Sequence, residues 1–121
     1  MSIINSDLST YKFITKINKK SKEEYGEILT PLSLVEEMLD MLPANVYDNA
    51  NIRWLDPGAG TGHYSIVLYY RLMKSLEKII ESKKERSDHI IKNMIYMVEI
   101  QEENINKLKF IFGEEANIIN E

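Results

Sequence analysis

Two acidic residues and a cluster of glycines are the parts of this sequence best suited to chemistry. Asp56 ends a short apolar run, and the stretch NIRWLDPGAGTGHY (51–64) then carries glycines at positions 58, 60 and 62. Glu99 ends a second apolar run. A glycine costs about 0.5–1 kcal/mol relative to alanine inside regular structure, so three in five positions require a reason. A glycine turn lets the backbone approach a ligand closely, because no Cβ intervenes.

The spacing predicts a nucleotide-like ligand at this turn. Ligands of open parallel sheets bind outside the carboxyl ends of the strands, where N–H groups at the start of the next helix face them. An acidic side chain at the end of the second strand is placed to accept hydrogen bonds from both ribose hydroxyls. Taken alone, the loop would be a plain strand-to-helix turn and Glu99 a solvated glutamate; their combination favours the ligand.

Two departures from the dinucleotide pattern disfavour a nicotinamide or flavin cofactor. The loop has the form G-x-G-x-G rather than G-x-G-x-x-G. The separation of Asp56 from Glu99 also exceeds the usual spacing of about 20 residues.

The elements that would position these residues alternate between helix and strand, which predicts an α/β fold with a parallel sheet and crossover helices. Thr30 and Pro31 are suited to begin the first helix, and Gly113 to end the last. The charged segment SKKERSD (82–88) is expected to lie at the surface. The pattern predicts an N-terminal arm with a short helix (1–24), helices over 31–42, 64–82 and 102–112, and strands over 51–56, 94–100 and 116–120.

The composition limits the functions open to the chain. It has 121 residues, a net charge of −4 and no cysteine, which excludes disulfides, thiolate zinc sites and a cysteine nucleophile. No apolar run is long enough to span a membrane and no secretory signal is evident, so we expect a cytoplasmic protein with no membrane partner. The net charge argues against nucleic-acid binding that is driven mainly by electrostatic attraction, although it is compatible with a local basic patch. We expect no metal site.

Three segments, in this order, resemble the DNA adenine methyltransferases. LDPGAGTGHY (55–64) resembles the first motif of S-adenosylmethionine-dependent methyltransferases, and its Asp-Pro opening is typical of the adenine-modifying group. YGEILTPLSLVEEMLDML (25–42) resembles the preceding motif of the subgroup that carries this element at its N-terminus. IYMVEIQEENI (95–105) resembles the second motif. The resemblance implies residues 25–121 as a partial, Rossmann-like methyltransferase domain of about three parallel strands with flanking helices, of the restriction-modification type.

The resemblance also implies roles for single residues in holding the cofactor. Asp56 would meet the methionine amino group, Glu99 the ribose hydroxyls and Ile100 the adenine ring. Thr30 and Pro31 would approach the methionine carboxylate. The whole implied set for S-adenosylmethionine is Tyr25, Gly26, Thr30, Pro31, Asp56, Pro57, Gly58, Ala59, Gly60, Thr61, Gly62, His63, Glu99 and Ile100.

Four positions have two interpretations each. His63 would be a base or, as we favour, a histidine at the surface of a loop-to-helix junction. Tyr69 and Tyr70 would stack on a nucleobase or, as we favour, pack within a helix. Met97 stands where the family often has glycine, which would narrow the space near the cofactor or mark a different core.

The family's catalytic motif is absent from this sequence. In the family, an Asp or Asn followed by two prolines and an aromatic residue holds the flipped target base. The prolines here are Pro31, Pro43 and Pro57, with no adjacent pair. We therefore assign no catalytic residue, and expect DNA to be reached only through other regions or a partner chain.

Three functions remain open at this point. The chain would be the S-adenosylmethionine-binding portion of a DNA adenine methyltransferase, inactive alone. It would alternatively be a non-enzymatic interaction or regulatory module on the same scaffold, with a complementing subunit or a second copy at the exposed third strand. The third hypothesis, a small-molecule methyltransferase, is disfavoured by the segment TPLSLVEEML (30–39).

Overall fold

The computed structural model of the protein describes Ile4 and residues 32–121. The predicted arm and its helix lie outside the described residues, Ile4 apart, as do Tyr25, Gly26, Thr30 and Pro31. The division of the chain at residues 24 and 25 stays a prediction. The described elements are helix α1 (Leu32–Asp40), a 3-10 turn (Ala44–Asp48), strand β1 (Trp54–Asp56), helix α2 (His63–Ser75), helix α3 (Lys83–Asn93), strand β2 (Ile95–Glu99), helix α4 (Glu102–Phe112) and strand β3 (Asn117–Asn120).

The described strands form one parallel sheet in the order β1-β2-β3. Trp54 pairs with Ile95 and Asp56 with Met97, while Glu99 pairs with Asn120. Helices connect the strands, as parallel pairing requires. The predicted α/β class, with about three parallel strands and flanking helices, is confirmed, and this arrangement is compatible with a Rossmann-like fold.

The two faces of the sheet differ in burial. Ile95 and Met97 of β2 belong to the same buried cluster as Leu72 of α2 and Leu108 of α4. Neighbouring residues along a strand point to opposite faces, so Leu55 and Ile119, paired through Tyr96 and Val98, share the other face. There Leu55 is 61% exposed and Ile119 is 41% exposed. The core therefore lies on one side of the sheet.

The single long helix predicted over 64–82 is wrong. Helix α2 ends at Ser75, and turns follow in which the N–H groups of Ile79 and Ile80 donate to the carbonyl oxygen of Leu76. A 19-residue helix would extend about 28 Å, whereas the five residues of β2 span only about 17 Å. The chain turns back at the end of the sheet instead of continuing past it.

The charged segment 82–88 lies largely at the surface, as expected, but most of it belongs to a helix that the predicted order of elements does not contain. Helix α3 begins at Lys83 after the N-cap residue Ser82, whose Oγ accepts a hydrogen bond from the N–H of Glu85 at 3.2 Å. Although the helix is polar on average, Arg86, Ile90 and Ile91 are buried, and that inner face holds it against the protein.

The remaining elements match the predictions with shorter bounds. β1 begins at Trp54 rather than at residue 51, because the chain turns at Asn49, whose Oδ1 accepts the N–H of Asn51. Helix α4 and strand β3 lie where they were predicted, and Gly113 ends α4. Val35 and Leu39 of α1 are fully buried, whereas Leu34 and Met38 of the same helix are 45% and 44% exposed, and Leu42 beyond its end is 40% exposed. None of the helices in the part of the chain that the structure describes is long and apolar enough to cross a membrane.

Candidate ligand site at the glycine loop

Asp56 is the last residue of β1 and its carboxylate is buried, with 7% of the residue exposed. Ser65 Oγ in the first turn of α2 donates to Asp56 Oδ2 at 2.8 Å, and the N–H of Gly58 also donates to this carboxylate. Burial raises the pKa of Asp56 above its ordinary 3.8, against the lowering effect of these two hydrogen bonds, and the negative charge of Glu99 raises it further. No cation among the described residues forms an ion pair with Asp56. A positively charged ligand group here would therefore be stabilised.

The backbone of the loop is tied to the end of β2. The N–H of Ala59 donates to the carbonyl oxygen of Val98 at 3.0 Å, and the N–H of Gly60 donates to Glu99 Oε1 at 3.1 Å. The N–H of Gly62 donates to the carbonyl oxygen of Ala59. The N–H groups of these three residues and of Gly58 are thus directed at acceptors of the chain itself. Buried N–H groups need partners, and here the loop and the strand ends supply them.

The three glycines have different surroundings. A Cβ added at Gly58 or at Gly60 would meet no atom within 4 Å, so there is room for a ligand beside both. A Cβ added at Gly62 would lie 2.8 Å from Leu108 Cδ2 and 3.5 Å from Phe112 Cε2. Gly60 and Gly62 have φ angles of +55° and +89°, which favour glycine. Gly62 therefore lets α2 pack closely on α4, while Gly58 borders open space.

Glu99 ends β2 and is held by three donors from its own chain. Gly60 N–H donates to Oε1, while the N–H of Gln101 and Nδ2 of Asn104 donate to Oε2 at 3.0 and 3.1 Å. A carboxylate at the start of a helix also interacts favourably with the helix dipole. Since an ionised carboxylate offers about four acceptor positions, one position remains for a ligand hydroxyl.

Asn104 brings a further acceptor next to Glu99. Asn104 is 6% exposed, and its Nδ2 donates to the Glu99 carboxylate. Its Oδ1 is buried without a hydrogen-bond partner. Turning the amide over would point Oδ1 at a carboxylate oxygen, so the negative charge of Glu99 fixes the orientation. A buried unpaired acceptor is costly, and a ligand hydroxyl or a water would satisfy it.

The other residues implied for the site differ in accessibility. Pro57 and Gly58 are exposed, and Ile100 is 73% exposed directly after Glu99. Ala59 and Thr61 are buried in the loop, and His63 is half-buried as the first residue of α2. The structure thus brings the second-strand carboxylate, the loop and Asp56 to one edge of the sheet.

The two tyrosines and the methionine behave as packing residues. Tyr69 is fully buried, its hydroxyl lies 2.8 Å from Ser87 Oγ, and its ring meets that of Tyr70 edge to face. Packing within the helix, the favoured interpretation, agrees with this position. Met97 is 1% exposed within the core cluster, which supports a different core over a narrowed ligand space.

Sequence reasoning missed Ser65 and Asn104, the two side chains that bond the site's carboxylates. Ser65 is fully buried, and it lies in the apolar stripe of α2 with Tyr69 and Leu72. Asn104 likewise stands four residues before Leu108 on the inner face of α4. A polar residue inside an apolar stripe is the signal that would have found both.

Within residues 32–121 and at Ile4, no group of three or more histidine, aspartate or glutamate side chains is arranged to hold a metal ion. Three surface depressions lie away from the glycine loop, and none includes Asp56 or Glu99 among its lining residues.

Comparison with known proteins gives a relationship that agrees with this geometry. No family model matches the chain. The chain is 32% identical over 75 residues to a Mycoplasma pneumoniae protein described as an uncharacterized adenine-specific methylase. The match takes in 60% of this chain and 18% of that protein, so the chain spans about a fifth of the length of the relative. The similarity supports a relationship to methyltransferases.

Proposed function

We propose that this chain is the S-adenosylmethionine-binding portion of a DNA adenine methyltransferase of the restriction-modification type. The observation that carries the proposal is the pair of buried carboxylates, Asp56 and Glu99, at the ends of adjacent strands on either side of a glycine loop. The similarity to an adenine-specific methylase supports the substrate class.

Three parts of S-adenosylmethionine, its ammonium group, its ribose and its adenine ring, have suitable residues at the carboxyl ends of β1 and β2. Its ammonium group is cationic, and the buried Asp56 carboxylate has no cationic partner among the described residues. The ribose diol needs two acceptors, which Glu99 and the unpaired Asn104 Oδ1 offer. The exposed Ile100 suits the flat adenine ring. The bound cofactor would supply an activated methyl group for transfer to an amino nitrogen.

We infer that this chain alone does not methylate DNA. The sequence has no Pro-Pro pair, and so no match to the polar clamp that holds the target amino group in the family. Positioning of the base by such a clamp supplies much of the rate of group transfer. A partner chain or further regions would contribute the clamp and the recognition of a DNA sequence.

The experiment that tests cofactor binding uses Gly58, because the loop is open at that position. Isothermal titration calorimetry with S-adenosylmethionine and with its demethylated product measures affinity for the wild type and for Gly58→Ala. The added methyl group meets no protein atom and requires no left-handed backbone, so the variant folds normally. It would occupy the ligand's space, and we expect affinity to fall at least about tenfold.

A control makes a change of similar size at a position outside the proposed site. Ala44 is exposed in the 3-10 turn, so Ala44→Ser should leave the affinity within about twofold of the wild type. No heat with either compound at millimolar concentration for the wild type, or equal affinities for the wild type and Gly58→Ala, would contradict the proposed site.

A second candidate function is a non-enzymatic interaction module. Two features of the described residues favour it: Leu55 and Ile119 are exposed on one face of the sheet, and no described strand pairs with the outer edge of β3. The partner would be a complementing subunit or a second copy at β3. Sedimentation of the wild type and of Ile119→Lys in the absence of cofactor tests this function. A wild-type dimer that dissociates in Ile119→Lys would favour the interaction module. A wild type that is monomeric at all concentrations would count against self-association.

A further inference from the structure

We propose that a depression between α2 and α3 binds a small anion that carries a phosphate group. It has a volume of about 310 Å³ and is lined by Tyr70, Met73, Lys74, Glu77, Lys83 and Arg86. The C-terminal half of α2 forms one wall of the depression. The glycine loop precedes the first residue of α2, and the last residue of this helix lies roughly 18 Å from the first. The depression is therefore separate from the site proposed for the cofactor.

The buried guanidinium of Arg86 is the central observation. Arg86 is 3% exposed, and its Nη1 donates to the carbonyl oxygen of Ile80 at 3.0 Å. Its Nε is buried with no hydrogen-bond partner, and no ion pair among the described residues includes it. Arginine is almost never buried without a negatively charged partner, because removing its charge from water is costly. An anion in the depression would supply that partner.

The charges around Arg86 determine the class of anion. Lys74 and Lys83 are exposed at the rim, and Glu77 is the one carboxylate among the lining residues. Three positive groups and one negative group give an excess of two charges, which matches a phosphate dianion. Arginine and lysine together are the usual phosphate ligands, the first by its planar set of donors and the second as a point charge.

The start of α3 adds to this field. Lys83 is the first residue of an 11-residue helix whose N-terminus carries a partial positive charge. Ser82 Oγ already accepts the N–H of Glu85, so an anion here would interact with the partial charge of the helix end and not with that N–H. The volume is at the lower end of the range of about 300–1,000 Å³ for small-molecule sites, which suits a phosphate with a small attached group.

The test titrates the full 121-residue chain with inorganic phosphate in a chloride buffer of constant ionic strength, followed by ¹⁵N NMR. We expect the Nε–H resonance of Arg86 and the backbone resonances of 83–86 to shift together with one saturation curve. Lys83→Gln and Lys74→Gln should each weaken binding about tenfold, the effect expected from losing one hydrogen bond to a charged group. Both side chains are exposed, so neither change should affect folding.

Lys84→Gln is the matched control. Lys84 follows Lys83, is 89% exposed and pairs with Asp88 at 3.7 Å, but it does not line the depression. Phosphate affinity should stay within about twofold of the wild type. Equal losses in Lys83→Gln and Lys84→Gln would show a general charge effect and overturn the proposal, as would an Arg86 Nε–H signal that does not move in saturating phosphate.

Two further titrations identify the source of the phosphate. Ribose 5-phosphate binding more tightly than inorganic phosphate supports a phosphomonoester ligand, and equal affinity supports the free ion. Acetate at the same concentration should give no saturable shift. Binding of a short oligonucleotide without any response to inorganic phosphate would overturn the proposal in favour of a nucleic-acid surface.

Discussion

The two ends of the glycine loop use the same residue type for different purposes. At Gly58 and Gly60 the space where a side chain would lie is open, whereas at Gly62 it is occupied by Leu108 and Phe112 of α4. The first end is suited to a ligand, and the second joins the loop to the core. Only the first end supports a statement about binding, because the second would require glycine even without a ligand. Substitutions at each end separate these purposes.

The largest effect on stability is expected for Gly62→Ala. The φ angle of +89° is unfavourable for alanine, and the new Cβ would lie 2.8 Å from Leu108 Cδ2. Strain at such a backbone angle and overpacking together should reduce the free energy of unfolding by about 3 kcal/mol. Urea denaturation measures the loss. Gly58→Ala is the control and should change stability by less than about 1 kcal/mol; similar losses in both variants would remove the distinction between the ends.

An intermediate effect is expected for Glu99→Gln. One amide oxygen can still accept the N–H of Gly60, but the NH₂ group would then face the N–H of Gln101 and Nδ2 of Asn104, both of which are donors. Asn104 can turn its amide over, which leaves the N–H of Gln101 unpaired. The free energy of unfolding should fall by about 1–2 kcal/mol.

Glu103→Gln is the control for this change, since Glu103 lies on the exposed face of the same helix turn. It should leave stability within about 0.5 kcal/mol of the wild type. An equal loss in both variants would show that Glu99 acts through the charge of the helix end and not through its three hydrogen bonds.

The smallest effect, and the one that depends on pH, concerns Asp56. Burial raises its pKa above 3.8 in the folded state, so the folded protein binds the proton more tightly than the unfolded chain does. The contribution of Asp56 to stability is therefore lost as pH rises from near 3.8 through the raised pKa, and Asp56→Asn removes that loss. Relative to the wild type, the free energy of unfolding of the variant should therefore increase with pH. The increase should be about 1.4 kcal/mol for each unit by which the pKa of Asp56 in the folded state exceeds that in the unfolded chain.

Urea denaturation at several pH values from about 4 to about 8 measures this difference. Asp48→Asn is the control, because Asp48 is exposed at the end of the 3-10 turn. A difference between Asp56→Asn and the wild type that grows as pH falls would reverse the sign and contradict the dominance of burial over the hydrogen bonds from Ser65 and Gly58.

The order of the elements could be predicted from sequence because periodicity and turn residues mark them locally. β2, α4 and β3 were each found, and Gly113 ends α4 as expected. The division of 64–82 was missed because Ile79 and Ile80 continue the apolar pattern of α2 past its end at Ser75. The start of α3 had a signal: Ser82 followed three residues later by Glu85 is a capping-box sequence.

The candidate site was predictable in its backbone and not in its hydrogen bonds. Asp56, the glycines and Glu99 are recognisable because strand ends and glycine clusters are local features. Their partners Ser65 and Asn104 are nine and five residues further along the chain, and the fold alone brings them to the carboxylates. The different surroundings of Gly58 and Gly62 likewise depend on α4, which is more than 40 residues from the loop in sequence.

The position of β1 in the sheet determines from which side the described residues could contact a ligand at the glycine loop. In doubly wound proteins the ligand binds in a crevice at the point where the strand order reverses, and parts of the chain line both sides of that crevice. In the described part of this protein β1 is an outermost strand, and β2 alone stands beside it. The described residues would therefore contact a molecule at the loop from the β2 side, and any contact from the other side of β1 would have to come from another part of the chain or from a partner.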